Sequence, residues 1–231
     1  MDNYIHVPCT IKNLDTYIHR RAIAAALREN LSLFSGRLLD YGCGKMPYRQ
    51  YILQHSRVTE YIGLDIETAL DYDTSVPDAV WDGTVIPFSD GHFDVVLATE
   101  VFEHIHDPGH ALIEIRRVLK PGGLIFFTVP YVWPLHEAPH DEYRYTPFAL
   151  ETIFHRAQFS RVAIHPTGGW NAALAQMLGL WVRRRPGSKK IRTLFSIVLW
   201  PVVRLLLSMD VRPEQFRERT MMPGLYGIVR K

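Results

Sequence analysis

Leu38-Leu39-Asp40-Tyr41-Gly42-Cys43-Gly44-Lys45-Met46-Pro47 is a short apolar run that enters a glycine turn and then meets a proline. Residues 37–41 read as a buried strand, and Pro47 suits the first turn of a helix over 47–54. Upstream, apolar residues recur near a 3.6 period from Asn13 to Phe34, and Gly36 closes that helix. Downstream, strands are expected at 60–64, 79–81, 93–98 and 124–129, with a helix at 110–119 and a turn at Pro121-Gly122-Gly123. A helix over 147–158, with Thr146 as its N-cap, precedes strands at 161–165 and 225–230. Strands alternating with helices imply parallel βαβ units. Continuous apolar runs such as Leu124-Ile125-Phe126-Phe127 suit strands covered on both faces.

Composition narrows the function classes. The chain has 231 residues, 47% of them hydrophobic and 22% charged, with 11 Phe, 11 Tyr and 5 Trp, so a disordered chain is excluded. Cys9 and Cys43 are too few for a disulfide framework or a four-thiolate zinc site. Met1-Asp2-Asn3-Tyr4 shows no basic, apolar leader, and the expected location is cytoplasmic. The net charge of +2 hides an asymmetry. Residues 1–180 carry 14 Lys and Arg against 21 Asp and Glu, and residues 181–231 carry 12 against 3. The basic end is expected to meet something anionic, whereas a uniformly basic nucleic-acid binder is not indicated, and no nucleic-acid partner is expected.

Ligands of an open parallel sheet sit beyond the carboxyl ends of the strands. Every strand of the first half ends there in glycine or a polar residue: Asp40, Gly42 and Gly44, then Asp65, Asp82, and Thr99 with Glu100. A dinucleotide fingerprint would want a third glycine where Pro47 stands, and Asp40 would repel a pyrophosphate. A nicotinamide oxidoreductase is therefore disfavoured. No Walker lysine pattern is present.

Five segments in order resemble class I S-adenosylmethionine-dependent methyltransferases, of the small-molecule and glycan type. They are Leu38–Gly44, Tyr61–Ile66, Trp81–Asp90, Phe93–Val96 with Glu100–His104, and Leu119–Gly123; the resemblance covers about 36–165, with Leu225–Arg230 as the matching last strand. The resemblance implies an α/β fold: a Rossmann-like, doubly wound, seven-stranded, mainly parallel sheet with helices on both faces and an antiparallel last strand. It implies S-adenosyl-L-methionine as cofactor, held by Asp40, Gly42, Cys43, Gly44, Asp65, Ile66, Asp82, Gly83, Thr99, Glu100 and His104. Asp65 would accept from the ribose hydroxyls and Asp82 from the adenine amino group. Met46 departs from the family pattern, which usually has a third glycine there. The expected division is an N-terminal helical cap at 1–36, the cofactor-binding core at 37–166, a helical insertion at 167–222 and a last core strand at 223–231.

Methyl transfer from a sulfonium is an in-line displacement with a neutral leaving group, so alignment of donor and acceptor carries most of the catalysis. A hydroxyl acceptor benefits from a general base. Glu103 and His104 follow the fourth strand and are expected to face the methyl group. The loop after the fifth strand, 131–145, is aromatic and rich in histidine. His140, His104 and Asp141 are the expected catalytic groups; Tyr131, His136, His140, Arg144 and Tyr145 are expected to bind the acceptor. For His104 a shelf for the methionine part of the cofactor is favoured over the base role, and for His140, Asp141 and Arg144 an ion pair in which Arg144 ties Asp141 and the loop together is an equal alternative. No metal is expected, because neither a thiolate nor a helical His pair accompanies His136, Glu137 and His140. The expected reaction is O-methylation of a small molecule, sugar or lipid-linked glycan. A non-catalytic donor-binding scaffold is the alternative.

The insertion is apolar and basic. A helix is expected over 168–180, then the basic stretch 183–190, then a sixteen-residue helix over 194–209. Sixteen residues fall short of the ~20 that span a bilayer. Arg192, Ser196, Arg204 and Ser208 form a narrow polar stripe on that helix. A lid over the acceptor pocket or a homodimer contact is favoured. An anionic membrane surface met through 183–209, at the inner face of the membrane, comes next.

Overall fold

The computed structural model describes residues 4–66 and 76–231. Seven strands form one sheet: β1 (Ser35–Tyr41), β2 (Arg57–Ile66), β3 (Ala79–Trp81), β4 (Phe93–Thr99), β5 (Leu119–Pro130), β6 (Arg161–Pro166) and β7 (Gly224–Arg230). Their order is β3-β2-β1-β4-β5-β7-β6. The first five run parallel, and β7 runs antiparallel to both β5 and β6. The order reverses between β1 and β4, which opens a crevice beyond their carboxyl ends. The expected Rossmann-like sheet with its antiparallel last strand is therefore present.

Side-chain alternation explains how both faces of the sheet are filled. Leu39, Ile125 and Phe127 join the core beneath α3 (Pro108–Val118) and α4 (Pro147–Arg156). Their neighbours Leu38, Leu124 and Phe126 point the other way, toward Ile23, Leu27 and Phe34 of the α1 side (Leu14–Asn30). α2 (Arg49–His55) adds Ile52 to that second layer.

Local chemistry sets the helix starts. Asp107 accepts the His110 amide at 3.0 Å ahead of Pro108, so α3 begins two residues before the sequence reading placed it. Thr146 accepts the Ala149 amide at 3.2 Å, as expected. Ser188 accepts the Ile191 amide at 3.3 Å and starts α6 (Lys189–Ser208) inside the stretch read as a basic linker.

The insertion is a helical hairpin of α5 (Trp170–Arg184) and α6, followed by an irregular return to β7. α6 has twenty residues rather than sixteen, which makes it long and apolar enough to cross a membrane by length and composition. α5 lies against α1, where a Cβ on Gly179 would come within 2.1 Å of the Leu14 carbonyl oxygen; only glycine lets the backbones approach so closely. α6 packs on α5 and α1 through Val203, Leu199, Trp200 and Leu206. Its polar stripe does not face water as a whole. Ser196 is fully buried, with its hydroxyl on the Arg192 carbonyl at 2.8 Å. The outward face carries Leu194, Val198 and Leu205, each 57–61% exposed.

Candidate active site at the carboxyl edge

The glycine turn after β1 is built to lie against β2 and β4. Gly42 has φ +67°, and a Cβ there would sit 2.7 Å from Val101 Cγ1. Its amide and that of Cys43 donate to the Leu64 carbonyl at 2.9 and 3.1 Å. The Gly44 amide donates to Asp65 Oδ2 at 2.8 Å, and the Ile66 amide to Asp65 Oδ1 at 2.9 Å. Each carboxylate oxygen keeps a further lone pair.

Asp40 lies inside the sheet. It is 2% exposed and accepts the Tyr61 hydroxyl. Burial pushes its pKa up to about 7, even though the Tyr61 hydrogen bond opposes the rise. It was expected to bind the donor, and in the structure it ties β1 to β2 through Tyr61. Cys43 is likewise buried, and burial with the nearby carboxylates raises its thiol pKa, so it stays protonated.

Asp82 sits at the end of β3 with Oδ1 accepting both the amide and the hydroxyl of Thr84, at 2.8 and 2.6 Å. The Thr84 hydroxyl holds its pKa below the ordinary carboxylate range. Beside it, Gly83 has open space where a Cβ would stand. Ile66, at the end of β2, is half exposed next to Asp65. Asp65, the glycine turn, Ile66 and Asp82 with Gly83 thus lie at the carboxyl ends of β1, β2 and β3.

The other half of the site follows β4. Glu100 adopts φ +57° and accepts the Thr128 hydroxyl at 2.7 Å. Its other oxygen lies 3.0 Å from His19 Nε2 of α1. Burial alone would lift the Glu100 pKa, but His19 and Thr128 outweigh it and hold the carboxyl below its ordinary value. His19 also stacks on Trp133 at 4.5 Å, and the Arg184 guanidinium of α5 covers the same indole at 4.7 Å. Thr99 pairs with Thr128 across β4 and β5.

Glu103 is 0% exposed. Neither of its carboxylate oxygens has a hydrogen-bond partner. Burial, reinforced by the Glu100 charge, pushes its pKa well up. His104 lies beside it with Nδ1 on the His140 carbonyl at 2.8 Å. The His136 and His104 rings meet edge to face at 4.6 Å.

In the loop 131–145, Arg144 grips Asp141 with two nitrogens at 2.6 and 2.8 Å. Asp141 Oδ2 also lies 3.1 Å from the His136 amide and 3.2 Å from His136 Nδ1. The Arg144 hydrogen bonds hold the Asp141 pKa far below the carboxylate range. Asp141 is thus a strong anion in an ion pair with Arg144 that shapes the loop: of the two expected alternatives the structure shows the structural pair, not a free catalytic carboxylate or a free acceptor-binding guanidinium. His140 is exposed and supplies its carbonyl to His104. Tyr145 is a second correction: it is buried in the main core, with its hydroxyl on the Phe102 carbonyl at 3.2 Å, and so props the 102–104 turn instead of meeting an acceptor. Tyr131 anchors the loop through its amide on the Pro223 carbonyl at 3.0 Å.

Sequence reasoning missed His19, Trp133 and Asp78. Asp78 accepts the Gly63 amide at 2.8 Å and pairs with Arg49 at 2.8 Å beneath the glycine turn. No local motif marks these residues, because each acts through a partner distant in sequence.

A mostly parallel sheet with a glycine turn at its switch point, acidic strand ends and an antiparallel last strand defines the class I S-adenosylmethionine-dependent methyltransferase fold. Residues 39–127 match the family model described as "Methyltransferase domain". The chain is 31% identical over 111 residues to a malonyl-[acyl-carrier protein] O-methyltransferase of Coxiella burnetii, covering 47% of this chain and 39% of that protein. It is 34% identical over 108 residues to the 27-O-demethylrifamycin SV methyltransferase of Amycolatopsis mediterranei, covering 41% and 40%. The chain therefore matches about two fifths of the length of these curated relatives. Among solved structures, a SAM-dependent methyltransferase from Archaeoglobus fulgidus superposes with a TM-score of 0.58 at 17% identity, over 94% of this chain and 97% of that one. Residues 39–127 are thus similar to a methyltransferase domain, on a fold shared with S-adenosylmethionine-dependent methyltransferases. The cradle fits that cofactor: glycines where side chains would collide, open space at Gly83, and Asp65 with lone pairs to spare.

Proposed function

We propose that this protein is an S-adenosylmethionine-dependent methyltransferase that methylates a hydroxyl of a small molecule, sugar or lipid-linked glycan. The observation that carries the reading is the convergence of the Gly42–Gly44 turn, Asp65 and Asp82 on one edge of the sheet, opposite the polar, aromatic loop 131–145. Gly44, Asp65, Ile66, Asp82 and Gly83 would hold the cofactor, which supplies an electrophilic methyl group when bound. The two O-methyltransferase relatives support oxygen as the methylated atom.

The chain's own residues do three things in this reading. Asp65 fixes the glycine turn and accepts from the donor. His19, Trp133 and Arg184 bring α1 and α5 against the acceptor loop and exclude water from it. The Asp141–Arg144 pair sets the loop so that His136 and His104 face inward. Such prepaid positioning supplies most of the rate. Incubating the protein with S-adenosylmethionine and sugar or glycan hydroxyl acceptors, and detecting the methylated product by mass spectrometry, tests the reading. Donor binding with no methylated product from any acceptor would favour the non-catalytic scaffold.

Beside the lid or dimer contact expected of the hairpin, its exposed side chains support a second proposal, contact with an anionic bilayer surface. α5 presents Trp170, Leu174, Met177 and Trp181 outward, and α6 presents Leu194, Phe195, Val198 and Leu205. Lys189 and Lys190 stand exposed at the start of α6, with Arg183 and Arg185 close by in sequence. Apolar area beside clustered cations is the pattern of a helix lying in the headgroup layer. Spanning is disfavoured, because α6 is packed against α5 and α1 on one side. Flotation with phosphatidylethanolamine–phosphatidylglycerol vesicles should carry the protein upward, and neutral phosphatidylcholine vesicles should not. A soluble dimer that ignores both would overturn this placement.

A further inference from the structure

We infer that Glu103, His104 and His136 form a binding site for one divalent first-row transition cation, of the manganese, iron or zinc kind. Their ligand atoms all lie within 4.8 Å of one another. Two histidines and one carboxylate are a familiar donor set for such ions, and one that leaves coordination positions open.

The hydrogen bonds around the trio point the same way. His104 Nδ1 faces the His140 carbonyl at 2.8 Å, so the ring proton sits there and the neutral ring keeps its lone pair on Nε2. That Nε2 lies 3.8 Å from Glu103 Oε1, too far for a hydrogen bond, and 3.8 Å from Glu137 Oε2. His136 Nδ1 faces Asp141 Oδ2 at 3.2 Å, which leaves its Nε2 as the free donor atom. A carboxylate or carbonyl behind each ligating imidazole is how proteins fix the tautomer of metal-bound histidine. Asp141 is itself locked by Arg144.

Glu103 is the second, independent observation. It is wholly buried, neither oxygen accepts a hydrogen bond, and one of them faces the His104 lone pair. Leaving a carboxyl group buried without partners is costly, and a cation between the lone pairs removes that cost. Glu100, three residues earlier, is already committed to His19 and Thr128 and stands as an outer anion. An ion here would polarise an acceptor oxygen, a role that rests on the methyl-transfer reading; the binding itself does not.

The test is a titration of the chelator-stripped full chain with Mn2+, followed by the loss of the free ion's paramagnetic resonance signal, and repeated with Zn2+ by calorimetry. One equivalent should bind. Glu103→Gln and His136→Ala should abolish binding while circular dichroism stays native. Asp141→Asn, which alters the group behind His136 and weakens its pair with Arg144, should weaken binding by about 10–100-fold. S-adenosylhomocysteine binding to the stripped protein is measured in parallel and reports on the methyltransferase reading separately. Failure of the wild-type protein to bind either ion, or equal binding by Glu103→Gln and His136→Ala, overturns the site.

Discussion

The Gly44 amide and the Asp65 carboxylate meet at 2.8 Å across 21 residues of sequence, and this bond joins the turn after β1 to the end of β2. One side chain thereby shapes the turn and presents acceptor lone pairs beside it. Asp65→Ala removes both functions. S-adenosylhomocysteine affinity, read by calorimetry, should fall by about 10–100-fold, the cost of a charged hydrogen bond lost with its partner left bare. An affinity within twofold of wild type would remove Asp65 from the site.

His19 gives the N-terminal helix a polar link to the carboxyl edge of the sheet, beside the apolar packing of Ile23 and Leu27. His19→Ala frees Glu100 and unstacks Trp133. Amide exchange in α1 should quicken by about tenfold, the ~1.4 kcal/mol equivalent of one such contact, while β4 and β5 stay protected. Unchanged exchange in α1 would show that the helix is held by its apolar face alone.

The Asp141–Arg144 pair has a defined acid dependence. Asp141 titrates below its ordinary value, so its contribution to stability is present above the unfolded pKa of about 3.9 and is lost as pH falls below it. The difference in Tm between wild type and Asp141→Asn should be constant from pH 5 to 7, as an order-of-magnitude window, and should shrink toward pH 3. A difference that grows on acidification would contradict the pairing.

Asp40 has the opposite sign. Its folded pKa, pushed up to about 7, exceeds the unfolded value, so the folded state holds the proton more tightly. Stability is lost as pH rises from the unfolded pKa through the folded one. Asp40→Asn should therefore gain Tm relative to wild type between about pH 4 and 8, a change of up to a few kcal/mol. A pH-independent difference would show that Asp40 is ionised in the native state at neutral pH.

Much of the frame was legible in the sequence because it is local. Leu38 to Gly44 shows an apolar run, a glycine turn and a proline within ten residues, and Thr146-Pro147 announces a helix start. Local signals misplaced α6, whose first turn is Lys189-Lys190 and so reads as linker until Ser188 is seen to cap it. They also misread Tyr145, which neighbours polar loop residues in sequence but packs inward beneath Phe102. The clamp of His19, Trp133 and Arg184 was invisible for a different reason. Its members come from α1, the loop after β5, and α5, and only the closed fold brings them together.

The most direct test is calorimetric titration of the wild-type protein with S-adenosylmethionine and, separately, with NADH. The expected result is one saturable site for the sulfonium nucleoside and none for the dinucleotide. Heat from NADH alone, or from neither, would contradict the assignment of the crevice beside Gly44 and Asp65.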